Sequence, residues 1–220
     1  MGSKNSMQWF KSLSLFVVLG FVLTTTVSCS ASPSSKDELN DQNTVTLYGE
    51  VNDFTAYQVI KKIHDLQDVS TDKPIILFID SPGGNVMSGL RIIDAMQASK
   101  RPVYTVVVGT AASMAAYIHQ YGFKRYMLPH AIIMFHQART TISSDQLEHA
   151  ENRLTMLKML IFDLNVNASK RTGMPVQELL QREANEYWIL SDEALTKHFV
   201  DGIVSPYKYP LVAVKEETDK

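Results

Sequence analysis

The most informative segment of the chain is Ile75-Ile-Leu-Phe-Ile-Asp-Ser-Pro-Gly-Gly-Asn85. It begins with an apolar, β-branched run that is typical of a buried strand. The Pro-Gly-Gly sequence then predicts a tight turn. Beyond it, Leu90, Ile93 and Met96 recur at the spacing of an amphipathic helix. The segment therefore predicts one strand-turn-helix unit.

The same alternation recurs along the chain. Similar apolar runs lie at 45–48, 103–108 and 132–135 and are separated by helical patterns, which favours a mostly parallel sheet flanked by helices. The longest helical pattern runs from about Gln146 to Lys170. A helix of this length either projects towards another subunit or packs its apolar stripe on its own domain. We therefore expect an α/β fold with a projecting long helix.

Composition limits the class of protein. Of 220 residues, 45% are hydrophobic and 20% are charged, with a net charge of −2 and one cysteine. These values exclude a disordered chain and a disulfide scaffold, and the absence of a basic cluster argues against nucleic acid as a partner. One domain over residues 44–210 with a charged tail at 211–220 is predicted.

The N-terminal residues form a separate pattern. Two lysines without an acid precede an apolar stretch of eleven residues, Leu13–Leu23, and small residues follow, as in a secretory signal peptide over 1–28. Eleven residues fall short of the ~20 that a membrane-spanning helix needs. Residues 29–43 are small and polar, which predicts a tether.

Cys29 is a candidate lipidation site. It directly follows the small residues, where bacterial lipoproteins place the cysteine that becomes the new N-terminus, although Thr26 stands where leucine is usual. Simple cleavage nearby and an uncleaved anchor are the alternatives. The sequence predicts an exported protein on the periplasmic side of a bacterium, or a lipoprotein anchored to a membrane.

Two turns between a strand and a helix carry candidate functional residues. At Gly83 and Gly84, backbone N–H groups could face an oxyanion or a phosphate without a side chain in the way. Small residues on both sides of Ser113 leave room for a substrate at the second turn. Each turn has a plainer explanation, because Pro-Gly-Gly also forms ordinary turns and serine commonly caps a helix.

His136 is the candidate base for a serine hydroxyl. It follows the 132–135 run, and an unperturbed histidine pKa of ~6.5 allows it to accept a proton at neutral pH. The other histidines compete for this role: His64, His119, His130, His149 and His198. None has a metal-ligand spacing to cysteine or to a second histidine, so no metal site and no cofactor are predicted.

Three motifs in order, Ile79-Asp-Ser-Pro-Gly-Gly84, Gly109-Thr-Ala-Ala-Ser-Met114 and Met134-Phe-His-Gln137, resemble the proteolytic subunit of the Clp protease, a serine peptidase. The resemblance covers about 44–206. It implies the ClpP or crotonase-like fold and a ring-shaped homo-oligomer that takes peptides or unfolded proteins. It also implies a nucleophile at Ser113, a base at His136, and an oxyanion hole from the N–H groups of Gly84 and Met114.

The third member of the implied triad departs from the family pattern. Continuing from Gly173 without gaps, the position of the family's aspartate holds Glu186, preceded by Asn185. Glutamate can orient a histidine, as it does in α/β-hydrolases. Asn185 would orient the ring without stabilising its charge, and a Ser-His dyad is the third alternative. We hypothesise that Glu186 fills this role.

Two further departures bear on assembly and energy use. The segment Ala138–Ser144 has no glycine, whereas the family has a Gly-rich strand there that pairs with substrate and with the opposing ring. Between Cys29 and Thr44 we find no counterpart of the axial segment that meets the ATP-dependent unfoldase. An exported enzyme would also meet no ATP, so we expect energy-independent cleavage.

Three other functions compete with a serine endopeptidase. One is a catalytically silent ring subunit or scaffold. The presence of both Ser113 and His136 argues against it. Another is a membrane-associated protease resembling signal-peptide peptidases, in which Lys124 or Lys170 would be the base. The third is an acyl-CoA hydratase of the crotonase fold that uses the Gly84 turn but needs no serine nucleophile.

Overall fold

A computed structural model describes residues 43–69, 71, 73–138 and 147–204. The predicted signal peptide, Cys29, nearly all of the tether, residues 139–144 and the charged tail lie outside these residues. The elements in chain order are β1 (Thr44–Tyr48), α1 (Asp53–Gln67), β2 (Ile75–Ser81), α2 (Val86–Ala98), β3 (Val103–Ala112), α3 (Met114–Gln120), β4 (Arg125–Met127), β5 (Ile132–Phe135), α4 (Leu147–Thr172), α5 (Val176–Glu183), β6 (Tyr187–Leu190), α6 (Ser191–Thr196) and β7 (Gly202–Ile203).

The strands form one mostly parallel sheet in the order β1-β2-β3-β4-β7. Strand β3 branches, because residues 105–107 pair with β4 and residues 110–112 pair with β5. Strand β6 is the antiparallel member and pairs with β5. The predicted α/β class with a parallel sheet flanked by helices is confirmed.

Alternation along the strands separates two apolar clusters. Leu77 and Ile79 of β2 point into the main core, to which helices α1 to α6 contribute. Ile76 and Phe78 point the other way, into a smaller cluster with residues of β3 and β4. The main core fixes the carboxyl ends of β2, β3 and β5, where the candidate site residues lie.

Strand β3 is longer than the sequence predicts. The apolar run ends at Val108, but the strand continues to Ala112, and the turn falls directly at Ser113. A Cβ atom at Gly109 would clash with the carboxylate of Asp80, which accepts a hydrogen bond of 2.8 Å from the N–H of Thr110. Glycine therefore lets β2 and β3 remain together up to the serine.

Helix α4 spans 147–172, close to the predicted pattern, and ends beside Gly173, whose φ is +76°. Its buried residues lie in its C-terminal half, from Leu164 onward, whereas Met156, Met159 and Phe162 expose about half or more of their surface. The N-terminal half thus extends beyond the main core, in keeping with a projecting helix. Across the described part of the chain, no helix is both long and apolar enough to cross a membrane.

Candidate active site

Two glycines shape the turn after β2. Gly83 and Gly84 have φ values of +88° and +147°, and the N–H of Gly83 donates to Ser81 Oγ at 3.1 Å. A Cβ atom on Gly83 would lie 2.7 Å from the Cβ of Ser113 and 2.8 Å from the nitrogen of Met114. The absence of a side chain at Gly83 therefore lets the two turns approach each other closely.

A short parallel bridge holds the Gly84 backbone in place. The N–H of Val51 donates to the carbonyl of Gly83 at 2.8 Å, and the N–H of Asn85 donates to the carbonyl of Val51 at 2.7 Å. The N–H of Gly84 takes no part in these two bonds. The side chain of Asn85 then caps α2 by accepting from the N–H of Ser88.

Ser113 has the backbone conformation of a residue held under strain. Its φ of +53° and ψ of −123° are unfavourable for any residue with a Cβ atom. Its N–H donates to the carbonyl of Met134 at 2.8 Å, which ties the turn to β5. Its side chain makes no capping bond to α3, so the N-cap explanation does not hold. A serine on such a turn resembles the nucleophile elbow of the α/β-hydrolases.

The first residue of α3, Met114, presents a second backbone donor beside Ser113. The first N–H groups of a helix have no partner within the helix. Met114 is buried, and its nitrogen faces the Gly83 turn. Gly84 lines the cavity that also holds Ser113, whereas Met114, the other predicted donor, does not belong to its described lining.

His136 directly follows β5. Its Nδ1 lies 2.5 Å from the carbonyl oxygen of Gln137, and because a carbonyl can only accept, Nδ1 carries the proton. In a neutral ring with this tautomer, Nε2 is the atom that accepts a proton, as a general base requires.

One cavity of about 690 Å³ unites these residues. Gly84, Ser113 and His136 all line it, and apolar side chains of Met87 and Leu157 form other parts of its wall. Its volume lies in the usual range of ligand sites. Lys124 and Lys170, the alternative lysine bases, are both exposed and do not belong to the described lining.

Glu186 and Asn185 lie in the turn between α5 and β6. Glu186 has a φ of +57°, and its carboxylate accepts a hydrogen bond of 3.4 Å from the indole N–H of Trp188. The register pairs Phe135 with Tyr187, so Glu186 and His136 are each one residue beyond the last pair of the β5-β6 ladder. Glu186 lies outside the described lining of the cavity, and Asn185 is exposed.

Glu183 is a site neighbour that the sequence does not predict. Its buried carboxylate accepts a hydrogen bond of 2.6 Å from the hydroxyl of Tyr117 and one of 3.4 Å from the amide of Asn165. Its backbone carbonyl accepts from the N–H of Gln137 at 3.2 Å, which fixes the chain after His136. The only sequence signal is its place four residues after Leu179 on the buried face of α5.

Burial raises the pKa of Glu183 from its ordinary value of 4.5 to about 7. Between these two values the unfolded chain loses the proton while the folded chain keeps it. The free energy of unfolding should therefore fall by about 3 kcal/mol as pH rises through this window, and level off above it. Denaturant unfolding at several pH values measures this fall.

The variant Glu183→Gln cannot titrate, so its unfolding free energy should lack this fall with pH. Glu178→Gln, a partly exposed neighbour on the same helix, is the matched control and should keep it. An identical pH dependence in Glu183→Gln and the wild type would show that the carboxyl of Glu183 is not the titrating group.

The α/β architecture, with its mostly parallel sheet flanked by helices, is consistent with the ClpP fold. The family model of Clp protease matches residues 30–207, and the chain belongs to the Clp protease family. The match begins before Thr44 and so includes most of the segment predicted as a tether. Members of this family are peptidases that form oligomeric rings and act on protein substrates.

Proposed function

We propose that the protein is a serine endopeptidase that cleaves peptides or unfolded proteins. The observation that carries the proposal is the shared cavity, in which a serine on a strained turn, a histidine of the required tautomer and a glycine turn meet. This combination supplies a nucleophile, a base and backbone donors, which are the groups that acyl transfer needs.

In the proposed mechanism, Ser113 Oγ attacks the carbonyl carbon of the scissile bond while Nε2 of His136 takes the hydroxyl proton. The oxygen that becomes negative accepts hydrogen bonds from the N–H groups of Gly84 and Met114. His136 then gives the proton to the departing amine, which breaks the peptide bond and leaves an ester on Ser113. Water then attacks the carbonyl carbon of this ester while Nε2 of His136 takes a proton from the water. His136 returns the proton to Ser113 Oγ as the acid product leaves.

Glu186 is the proposed third member of the catalytic triad, because Glu186 and His136 are each one residue beyond the last pair of the β5-β6 ladder. A carboxylate there would stabilise the charged imidazole that forms during the reaction. The carbonyl of Gln137 already accepts from Nδ1 and can hold the ring without it. We therefore assign Glu186 a smaller contribution than His136.

Because Glu186 is assigned a smaller contribution than His136, the two variants should lose activity to different extents. His136→Ala should lower kcat for a fluorogenic peptide at least about 10³-fold, and Glu186→Gln about tenfold to a hundredfold, with KM little changed. His130→Ala, at an exposed histidine, is the control. An undiminished kcat in Glu186→Gln would remove Glu186 from the mechanism and leave a dyad, whereas a loss in Asn185→Ala instead would transfer the role to that residue.

We also propose that cleavage needs no ATPase and that the working form is a homo-oligomeric ring. We propose further that the enzyme is exported and that Cys29 is a lipid attachment site. The signal-like pattern of residues 1–28 supports export, and the exposed apolar residues of α4 support assembly. The purified protein should hydrolyse peptides at the same rate with and without ATP.

A further inference from the structure

An acidic side chain stands beside the proposed oxyanion hole. Glu50 lines the cavity that contains Ser113, and a Cβ atom on Gly84 would come within 3.0 Å of the Glu50 Cγ atom. The backbone of Glu50 is fixed, because its carbonyl accepts a hydrogen bond of 2.8 Å from the hydroxyl of Thr55. The Glu50 side chain therefore lies over the Gly84 turn.

Among the described residues, no cation pairs with the Glu50 carboxylate. The nearby Asp53, in contrast, is bonded to Arg91 and Ser88. Glu50 also lines an adjoining cavity of about 500 Å³, together with Asn52, Asp53, Phe54 and Asn85. No lysine or arginine belongs to the described lining of either cavity, whereas the carboxylate of Glu50 belongs to both.

A negative charge at this place opposes the reaction unless the substrate offsets it. The carbonyl oxygen of the substrate becomes negative beside the N–H of Gly84, and the Glu50 carboxylate repels that charge. A substrate with an uncharged side chain would add the cost of removing water from Glu50. A substrate cation near Glu50 would relieve both effects.

We propose that Glu50 determines specificity for lysine or arginine at the residue that supplies the scissile carbonyl. The carboxylate would pair with the cationic end, and the aliphatic stem would pack on apolar wall residues such as Met87 and Leu157. This assignment rests on the proposed peptidase function, since it concerns the substrate of the same site.

The test uses N-acetylated peptides that differ at one position, with lysine, norleucine or glutamate there. The wild type should cleave the lysine peptide with a kcat/KM at least about tenfold above that of norleucine, which has nearly the same shape without the charge. In Glu50→Gln the ratio should fall close to one, because the lysine peptide loses an ion pair and the norleucine peptide escapes the repulsion. Asp65→Asn, near the far end of α1, is the control and should keep the wild-type ratio.

Equal cleavage of the two peptides by the wild type would overturn the proposal, and so would a ratio that persists in Glu50→Gln. Tighter equilibrium binding of lysine peptide than of norleucine peptide to Ser113→Ala, lost when Glu50→Gln is added, would support it without turnover. A preference for the lysine peptide that appears only without N-acetylation would mean that Glu50 recognises the α-amino group of the peptide, which contradicts the assignment. Peptide cleavage that survives Ser113→Ala would instead refute the peptidase mechanism, which keeps the two failures apart.

Discussion

Ser113→Gly is expected to abolish peptide hydrolysis and, at the same time, to raise the melting temperature. The variant lacks the nucleophile, so kcat should fall at least about 10⁴-fold. Ser113 also occupies a backbone conformation with φ +53° and ψ −123°, at a cost of about 1–3 kcal/mol that glycine avoids. After the greater chain entropy of glycine is subtracted, about 1 kcal/mol of stabilisation should remain, or about 2–4 °C in Tm.

The comparison with Ser113→Ala separates the two effects. Alanine also removes the hydroxyl but keeps the Cβ atom, so it should be equally inactive without the gain in Tm. Scanning calorimetry and a peptide hydrolysis assay on the three proteins measure both quantities. A lower Tm in Ser113→Gly than in Ser113→Ala would show that the turn is not strained.

The second large effect is expected for Gly83→Ala. The new Cβ atom would lie 2.7 Å from the Cβ of Ser113 and 2.8 Å from the nitrogen of Met114, at a backbone φ of +88°. The turn must move away from α3, which spoils the alignment of nucleophile and oxyanion donors. We expect kcat to fall about 10²-fold or more and the free energy of unfolding to fall by about 2–4 kcal/mol.

Gly173→Ala is the matched control for this experiment. Gly173 has a similar φ of +76°, but a Cβ atom there would meet nothing within 4 Å. The control should lose only about 1 kcal/mol of stability, from backbone strain, and keep its kcat. Equal kinetics for Gly83→Ala and the wild type would mean that the contact between the two turns is unimportant for catalysis.

The local pattern of the sequence predicts the fold well where one segment determines one element. Strand β2, its glycine turn and helix α2 follow from apolar spacing and turn residues alone. The extension of β3 to Ala112 does not follow from the local sequence, because it depends on the close contact between Asp80 of the neighbouring strand and Gly109. Strand β4 and helix α5 escaped prediction for the related reason that they are short and gain their stability from tertiary contacts.

The candidate site shows the same division. Ser113 could be selected from the sequence because small residues flank it at a turn that follows an apolar run, and His136 because it directly follows such a run. Both turns lie at the same edge of the sheet, because β3 and β5 are parallel. The sequence could not predict the hydrogen-bond acceptor of His136 Nδ1, since this acceptor is a backbone carbonyl. Glu183 was equally hidden, because its burial against Tyr117 arises only when α3 and α5 pack together.

The most direct test of the central claim is labelling by a fluorophosphonate probe, which reacts with activated serines, followed by mass spectrometry of the purified protein. The probe should modify Ser113 alone, and labelling should disappear in Ser113→Ala and in His136→Ala. A folded wild-type protein that takes no label, or takes it on another serine, would contradict an activated nucleophile at Ser113. It would favour a catalytically silent member of the family.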